Sequence, residues 1–83
     1  MEQQATTGIS RAVLTEKGVV KADNTVENSN DNRVLWALRS MSGNEGSVQD
    51  IVHSPICNGM TNMQVTTILN KLMENGDVAK RAG

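Results

Sequence analysis

The chain has 83 residues, with eight Lys or Arg, nine Asp or Glu and a formal net charge of −1. This length fits one small domain, and the near-zero charge excludes the broad basic surface that coats nucleic acid without specificity. No segment has the apolar length of a membrane span and no signal-peptide pattern begins the chain, so we expect an intracellular protein, cytoplasmic or nuclear.

The first 29 residues are predicted to form a flexible N-terminal arm. Residues 1–12 are small and polar and show no hydrophobic period, as is usual for disordered termini. Two apolar pairs, Val13-Leu14 and Val19-Val20, flank a Glu-Lys-Gly segment, which predicts a short β-hairpin over 13–21. The polar residues 22–30 are interpreted as a linker.

Two helices are predicted next. The first covers residues 31–41, is capped by a residue between Ser29 and Asp31, and ends before two glycines. The second covers residues 47–53, with Ser47 as its cap, and Pro55 ends it. The apolar residues expected to face the core are Val34, Leu35, Leu38 and Met41 of the first helix and Val48, Ile51 and Val52 of the second.

The longest predicted helix covers residues 61–75. Thr61 and Gln64 have the spacing of a capping box, and Gly76 is suited to close the last turn. Val65, Ile68, Leu69 and Leu72 recur at the spacing of one buried helical stripe. A strand is predicted over residues 77–80, around Val78.

This order of elements predicts a fold that is mainly α with a small β element. Three helices form a core and a short or incomplete wing follows them, which is a winged helix-turn-helix arrangement over residues 30–83. The wing lacks a second strand. We therefore expect residues 13–15 or 19–21 to pair with residues 77–80, within the chain or from a second copy, because proteins usually cover a bare edge strand.

The C-terminal part of the chain resembles winged helix-turn-helix regulators of the MarR type. The match lies in Val65-Thr66, Leu69, Leu72, Asn75-Gly76-Asp77-Val78 and Lys80-Arg81. Residues 32–35, 45–46 and 49–51 are also similar to the winged module that ends the middle subunit of replication protein A, which docks proteins. Residues 69–83 resemble Z-DNA-binding domains, although the Tyr and the Pro-Pro-x-Trp wing of those domains are absent.

The resemblance implies a DNA-binding regulator that reads duplex DNA with the helix over residues 61–75, as a homodimer on a symmetric site. Amide, hydroxyl and thioether side chains would meet bases, and the cations would meet phosphates. The predicted DNA-binding residues are Met63, Gln64, Thr66, Thr67, Asn70, Lys71, Lys80 and Arg81. The alternative is a protein-docking module of a replication or repair complex, which the near-neutral charge favours.

The remaining reactive residues predict no further site. His53 and Cys57 are four apart, but Pro55 lies between them and the chain has no other His or Cys, so we expect neither a zinc site nor any other cofactor. No catalytic constellation is recognisable, which predicts a protein that is not an enzyme. Met60 and Met73 are expected to fill the core, and Arg33 and Arg39 to be solvated more often than bound to phosphate.

Overall fold

A computed structural model of the chain describes residues 11–81. In these residues a helical core is covered by a small antiparallel sheet, which confirms the predicted fold class of mainly α with a small β element. The elements in chain order are β1 (Arg11–Leu14), α1 (Glu16–Asn24), α2 (Asn30–Arg39), β2 (Glu45–Gly46), α3 (Val48–Val52), α4 (Asn62–Glu74) and β3 (Val78–Arg81).

Local signals place α2, α3 and α4 close to where the sequence predicts them. Ser29 caps α2 by accepting from the Asn32 N–H, and Ser47 forms a capping box with Asp50 at the start of α3. Thr61 and Gln64 form the predicted capping box of α4. Gly76 follows α4 with a φ of +84°, a left-handed conformation that glycine adopts without steric cost.

The core is aliphatic and is shared by every helix. Most of the predicted inward residues are buried: three on α2, all four on α4, and Ile51 on α3. Met41, Val48 and Val52, also predicted inward, are only half-buried and pack at the core edge, as Trp36 does. Met60 is buried and Met73 packs against the core, so both methionines fill it as predicted. The large aliphatic side chains that are fully buried are Val34, Leu35, Leu38, Ile51, Val65, Leu69 and Leu72.

The sheet is completed by a strand from the N-terminal segment. Its strand order is β2-β1-β3, with β1 antiparallel to both neighbours. Leu14 lies opposite Val78, and Arg11 lies opposite Arg81. Of the two segments predicted to cover the bare edge of β3, the first does so, with the strand at Arg11–Leu14 and in the same chain. Residues 19–21 lie in α1 instead.

Two N-terminal predictions are wrong. Residues 13–21 do not form a hairpin, because α1 begins at Glu16 and contains the second apolar pair. The arm does not extend to residue 29, because Ala12, Leu14 and Ala22 are buried in the core. The linker is therefore shorter than predicted and covers residues 25–29; residues 1–10 lie outside the described part of the chain.

Close packing explains why the sequence of α1 lacks the regular spacing of large apolar residues that marks an amphipathic helix. Its fully buried positions are Gly18 and Ala22, which are one helical turn apart and small. A Cβ atom on Gly18 would lie 1.9 Å from the carbonyl oxygen of Asp77. The helix therefore touches the backbone between α4 and β3 at a point where only glycine fits.

Candidate nucleic-acid interface

The outer face of α4 is the most extended polar surface that the predicted site residues form. Because the buried stripe fixes the rotation of the helix, Met63, Thr67 and Asn70 are exposed, and Thr66 is half-buried beside them. No carboxylate occurs between Asn62 and Lys71. Glu74 lies one turn after Asn70 and ends this neutral face.

Gln64 is exposed, but its side chain is already engaged. Its side-chain Oε1 accepts from the Thr61 backbone N–H at 2.9 Å, and the Gln64 backbone N–H donates to Thr61 Oγ1 at 3.1 Å. A bidentate contact with adenine needs both the oxygen and the nitrogen of the amide. Gln64 therefore closes the first turn of α4, and its amide nitrogen is the group that it can still offer.

Lys71 is held by the neighbouring helix. Its Nζ donates to Asp31 Oδ2 of α2, and the two atoms are 2.6 Å apart. The Lys71 side chain is 61% exposed, so the pair is weak and screened by salt. A phosphate could replace the Asp31 carboxylate, but the cation is not presented free.

Lys80 and Arg81 end β3 and are both exposed. Neither has an ion-pair partner among the carboxylates of residues 11–81. Because side chains alternate along a strand, the two cations point to opposite faces of the sheet. Arg11, which the sequence does not predict as a site residue, lies directly across from Arg81.

The other cations have structural partners. Arg39 pairs with Asp23 at 3.0 Å and so joins α2 to α1. Arg33 donates to the carbonyl oxygens of Ile56 and Asn58 and holds the turn before α4. The guanidinium groups of both arginines therefore already contact other parts of the chain. The sequence did not predict these contacts, because the partners lie 16 or more residues away.

The turn between α4 and β3 is held by α1 and the residue before it. Thr15 Oγ1 donates to the Gly76 carbonyl at 2.6 Å, and Lys17 Nζ donates to the Asn75 carbonyl at the same distance. Lys21 Nζ lies 2.9 Å from Oδ2 of the fully buried Asp77. These contacts fix where β3 begins and hence where its two terminal cations lie.

A groove of about 390 Å³ lies between the beginning of α2 and the first half of α4. Asp31, Met63, Thr67 and Ile68 are among its lining residues. Met63 is 78% exposed at this groove, and its flexible, polarizable thioether side chain suits a contact surface.

His53 and Cys57 lie in different surroundings. His53 is exposed, whereas Cys57 is buried and donates from Sγ to the Arg33 carbonyl oxygen at 3.4 Å. Burial raises the pKa of the Cys57 thiol, against a smaller opposing effect of Arg33. Within residues 11–81 no three His, Cys, Asp or Glu side chains are grouped as metal ligands.

No family model, curated protein or solved structure matches this chain. Along residues 11–81, none of the helices has the length and apolar character needed to cross a membrane. The candidate site thus consists of the outer surface of α4 and the end of the sheet.

Proposed function

We propose that the protein is a small winged helix-turn-helix module that binds duplex DNA through α4. The observation that carries this proposal is the neutral, polar outer face of α4 over its first three turns. A helix that enters the major groove needs such a face, because carboxylates would repel the phosphates on either side. In this role the protein regulates by binding DNA and does not act as a catalyst.

In this mode Asn70 and Thr67 contact base edges, and Met63 packs against a thymine methyl group. Thr66 lies at the edge of the contact, and Gln64 contributes its amide nitrogen. Lys80 and Arg81 approach the DNA backbone from the end of β3, and Lys71 joins them once a phosphate displaces Asp31. A homodimer on a symmetric site would double these contacts.

Charge sets the expected strength. Because each neutralised phosphate adds about 0.9 to the slope of log affinity against log salt, Lys80 and Arg81 predict a slope of about −2 per protomer. Binding by one protomer should therefore be weak and should fall only modestly with salt. A steeper slope would indicate that a further cation, Lys71 or Arg11, also contacts phosphate.

The test is an NMR titration of the labelled chain with mixed-sequence duplex at low salt. We expect shifts at the α4 amides, a loss of binding as salt rises, and at least a tenfold weaker affinity in Asn70→Ala/Arg81→Ala, since two polar contacts of about 1 kcal/mol each are removed. The matched control is Asn58→Ala/Arg39→Ala, which removes the same residue types away from α4. Unchanged spectra at low salt with duplexes of varied sequence would overturn the proposal.

The rival function is protein docking, and the groove beside Met63 favours it. Four of the eight cations pair with carboxylates within the chain, which lowers the attraction for DNA. A partner would then place an apolar side chain against Met63 and Ile68. In that case Met63→Ala should weaken partner binding, and no duplex should shift the α4 amides.

A further inference from the structure

The outer face of the sheet carries two arginines side by side. Arg11 of β1 and Arg81 of β3 are direct cross-strand partners, so their side chains leave the same face with Cβ atoms about 5 Å apart. Like charges in this position repel each other, and an anion between them relieves the repulsion. Lys80 leaves the other face and takes no part.

A carboxylate already satisfies part of this pair. Glu45 of β2 is on the same face, and its Oε2 accepts from Arg11 Nε at 2.9 Å. Asp50 lines a second groove together with Arg11 and Glu45, but its Oδ2 accepts from the Ser47 N–H at the start of α3. The terminal nitrogens of Arg11 and the whole guanidinium of Arg81 have no partner within residues 11–81.

We infer that Arg11 and Arg81 together form a phosphate-binding site, and that Glu45 competes with the phosphate for Arg11. Guanidinium groups present planar pairs of N–H donors that match the oxygens of a phosphate. Two such groups on adjacent strands can hold one phosphate between them. The inference rests on the proposed function for its source of phosphate, which is the DNA backbone; inorganic phosphate offers the same chemistry.

The position of β1 makes this site a tertiary feature. Arg11 and Arg81 are 70 residues apart in the sequence but lie opposite each other because β1 inserts between β2 and β3. Arg81 alone would contact phosphate through one guanidinium. With Arg11 across the strand, the site gains a second one and a fixed orientation relative to the sheet.

The experiment follows the Nε–H signals of Arg11 and Arg81 in the full chain while inorganic phosphate is added. We expect both signals to shift along one binding curve. Arg81→Gln should abolish the Arg11 response, Arg81→Lys should retain part of it, and Arg39→Gln should leave it unchanged. Glu45→Gln should tighten phosphate binding by about two- to fivefold, the range that exposed ion pairs are worth.

Different binding curves for the two arginines, an Arg11 response that persists in Arg81→Gln, or unchanged affinity in Glu45→Gln would overturn the inference. A second titration with duplex separates it from the proposed function. Shifts at the α4 amides without shifts at the arginines refute the inference and leave the proposed function intact. Shifts at the arginines with inorganic phosphate, together with no shift at either the arginines or the α4 amides on adding duplex, refute DNA as the source and the proposed function with it.

Discussion

Helix α4 and the N-terminal segment of β1 and α1 cover the same core by different means. Helix α4 buries Val65, Leu69 and Leu72, so large side chains mark its inner face. The fully buried positions of α1 are Gly18 and Ala22, and this helix packs by close backbone approach. Hydrophobic periodicity therefore predicts α4 from the sequence but does not predict α1, although both helices position the candidate site.

Removing the N-terminal segment should have the largest effect. A chain that begins at residue 25 lacks the central strand, so β2 and β3 both lose their hydrogen-bonded partner. A domain of this size is stabilised by roughly 5–10 kcal/mol, and each buried aliphatic side chain contributes about 1.5–3 kcal/mol. We expect no cooperative thermal transition by circular dichroism.

Deletion of residues 1–10 is the control, since it keeps Arg11–Leu14, which pair with β2 and β3. The chain that begins at residue 11 should keep its cooperative thermal transition. If the chain that begins at residue 25 melted cooperatively at the wild-type temperature, the N-terminal segment would be a dispensable arm after all.

Gly18→Ala tests the close approach itself. Alanine normally stabilises a helix relative to glycine by about 1 kcal/mol. Here its Cβ would meet the Asp77 backbone, so we expect a loss of about 1–3 kcal/mol in the free energy of unfolding, measured by urea denaturation. Val20→Ala, at an exposed position of the same helix, should change stability by less than about 0.5 kcal/mol. A stabilising Gly18→Ala would show that α1 does not contact the turn.

The two threonine caps allow a matched comparison. Thr61 caps α4 alone, and Thr61→Ala should cost about 1 kcal/mol. Thr15 caps α1 and also donates to the Gly76 carbonyl, so Thr15→Ala should cost about 2 kcal/mol. Urea denaturation of both variants gives the difference, and equal losses would mean that the bond to Gly76 adds nothing.

The smallest effect concerns pH and the start of α3. Hydrogen bonds from the Ser47 backbone and then its side chain lower the pKa of Asp50 below 3.8. The folded pKa is thus lower than the unfolded one, so this carboxylate stabilises the fold above pH 3.8 and the contribution fades as pH falls through the folded pKa.

Asp50→Asn keeps the shape of the side chain and removes its charge. Its stability deficit, measured by urea denaturation, should therefore shrink as pH falls from neutral to below 3.8. Gln49→Ala, which changes an exposed neutral residue of the same helix, should show no matching change. A deficit that is independent of pH would exclude the charge as its cause.

Helices α2, α3 and α4 and strand β3 can be predicted from the amino-acid sequence, because their signals are local. Capping residues such as Ser47 and Thr61 satisfy the first N–H groups of their own helix, and the apolar period fixes which face is buried. The exposed positions of Met63, Thr67 and Asn70 follow from that period alone. The bare edge of β3 also predicted that residues 13–15 or 19–21 would pair with it, without deciding between the two.

The other features depend on contacts between distant parts of the chain. Whether a side chain is free depends on what lies beside it in space, and so the pairing of Lys71 with Asp31 has no signature in either segment. Helix α1 depends on the space left at Gly18 by the Asp77 backbone. The pairing of Arg11 with Arg81 depends on a strand register that spans almost the whole chain, because hydrogen bonding between distant strands, and not any nearby residue, sets which side chains meet.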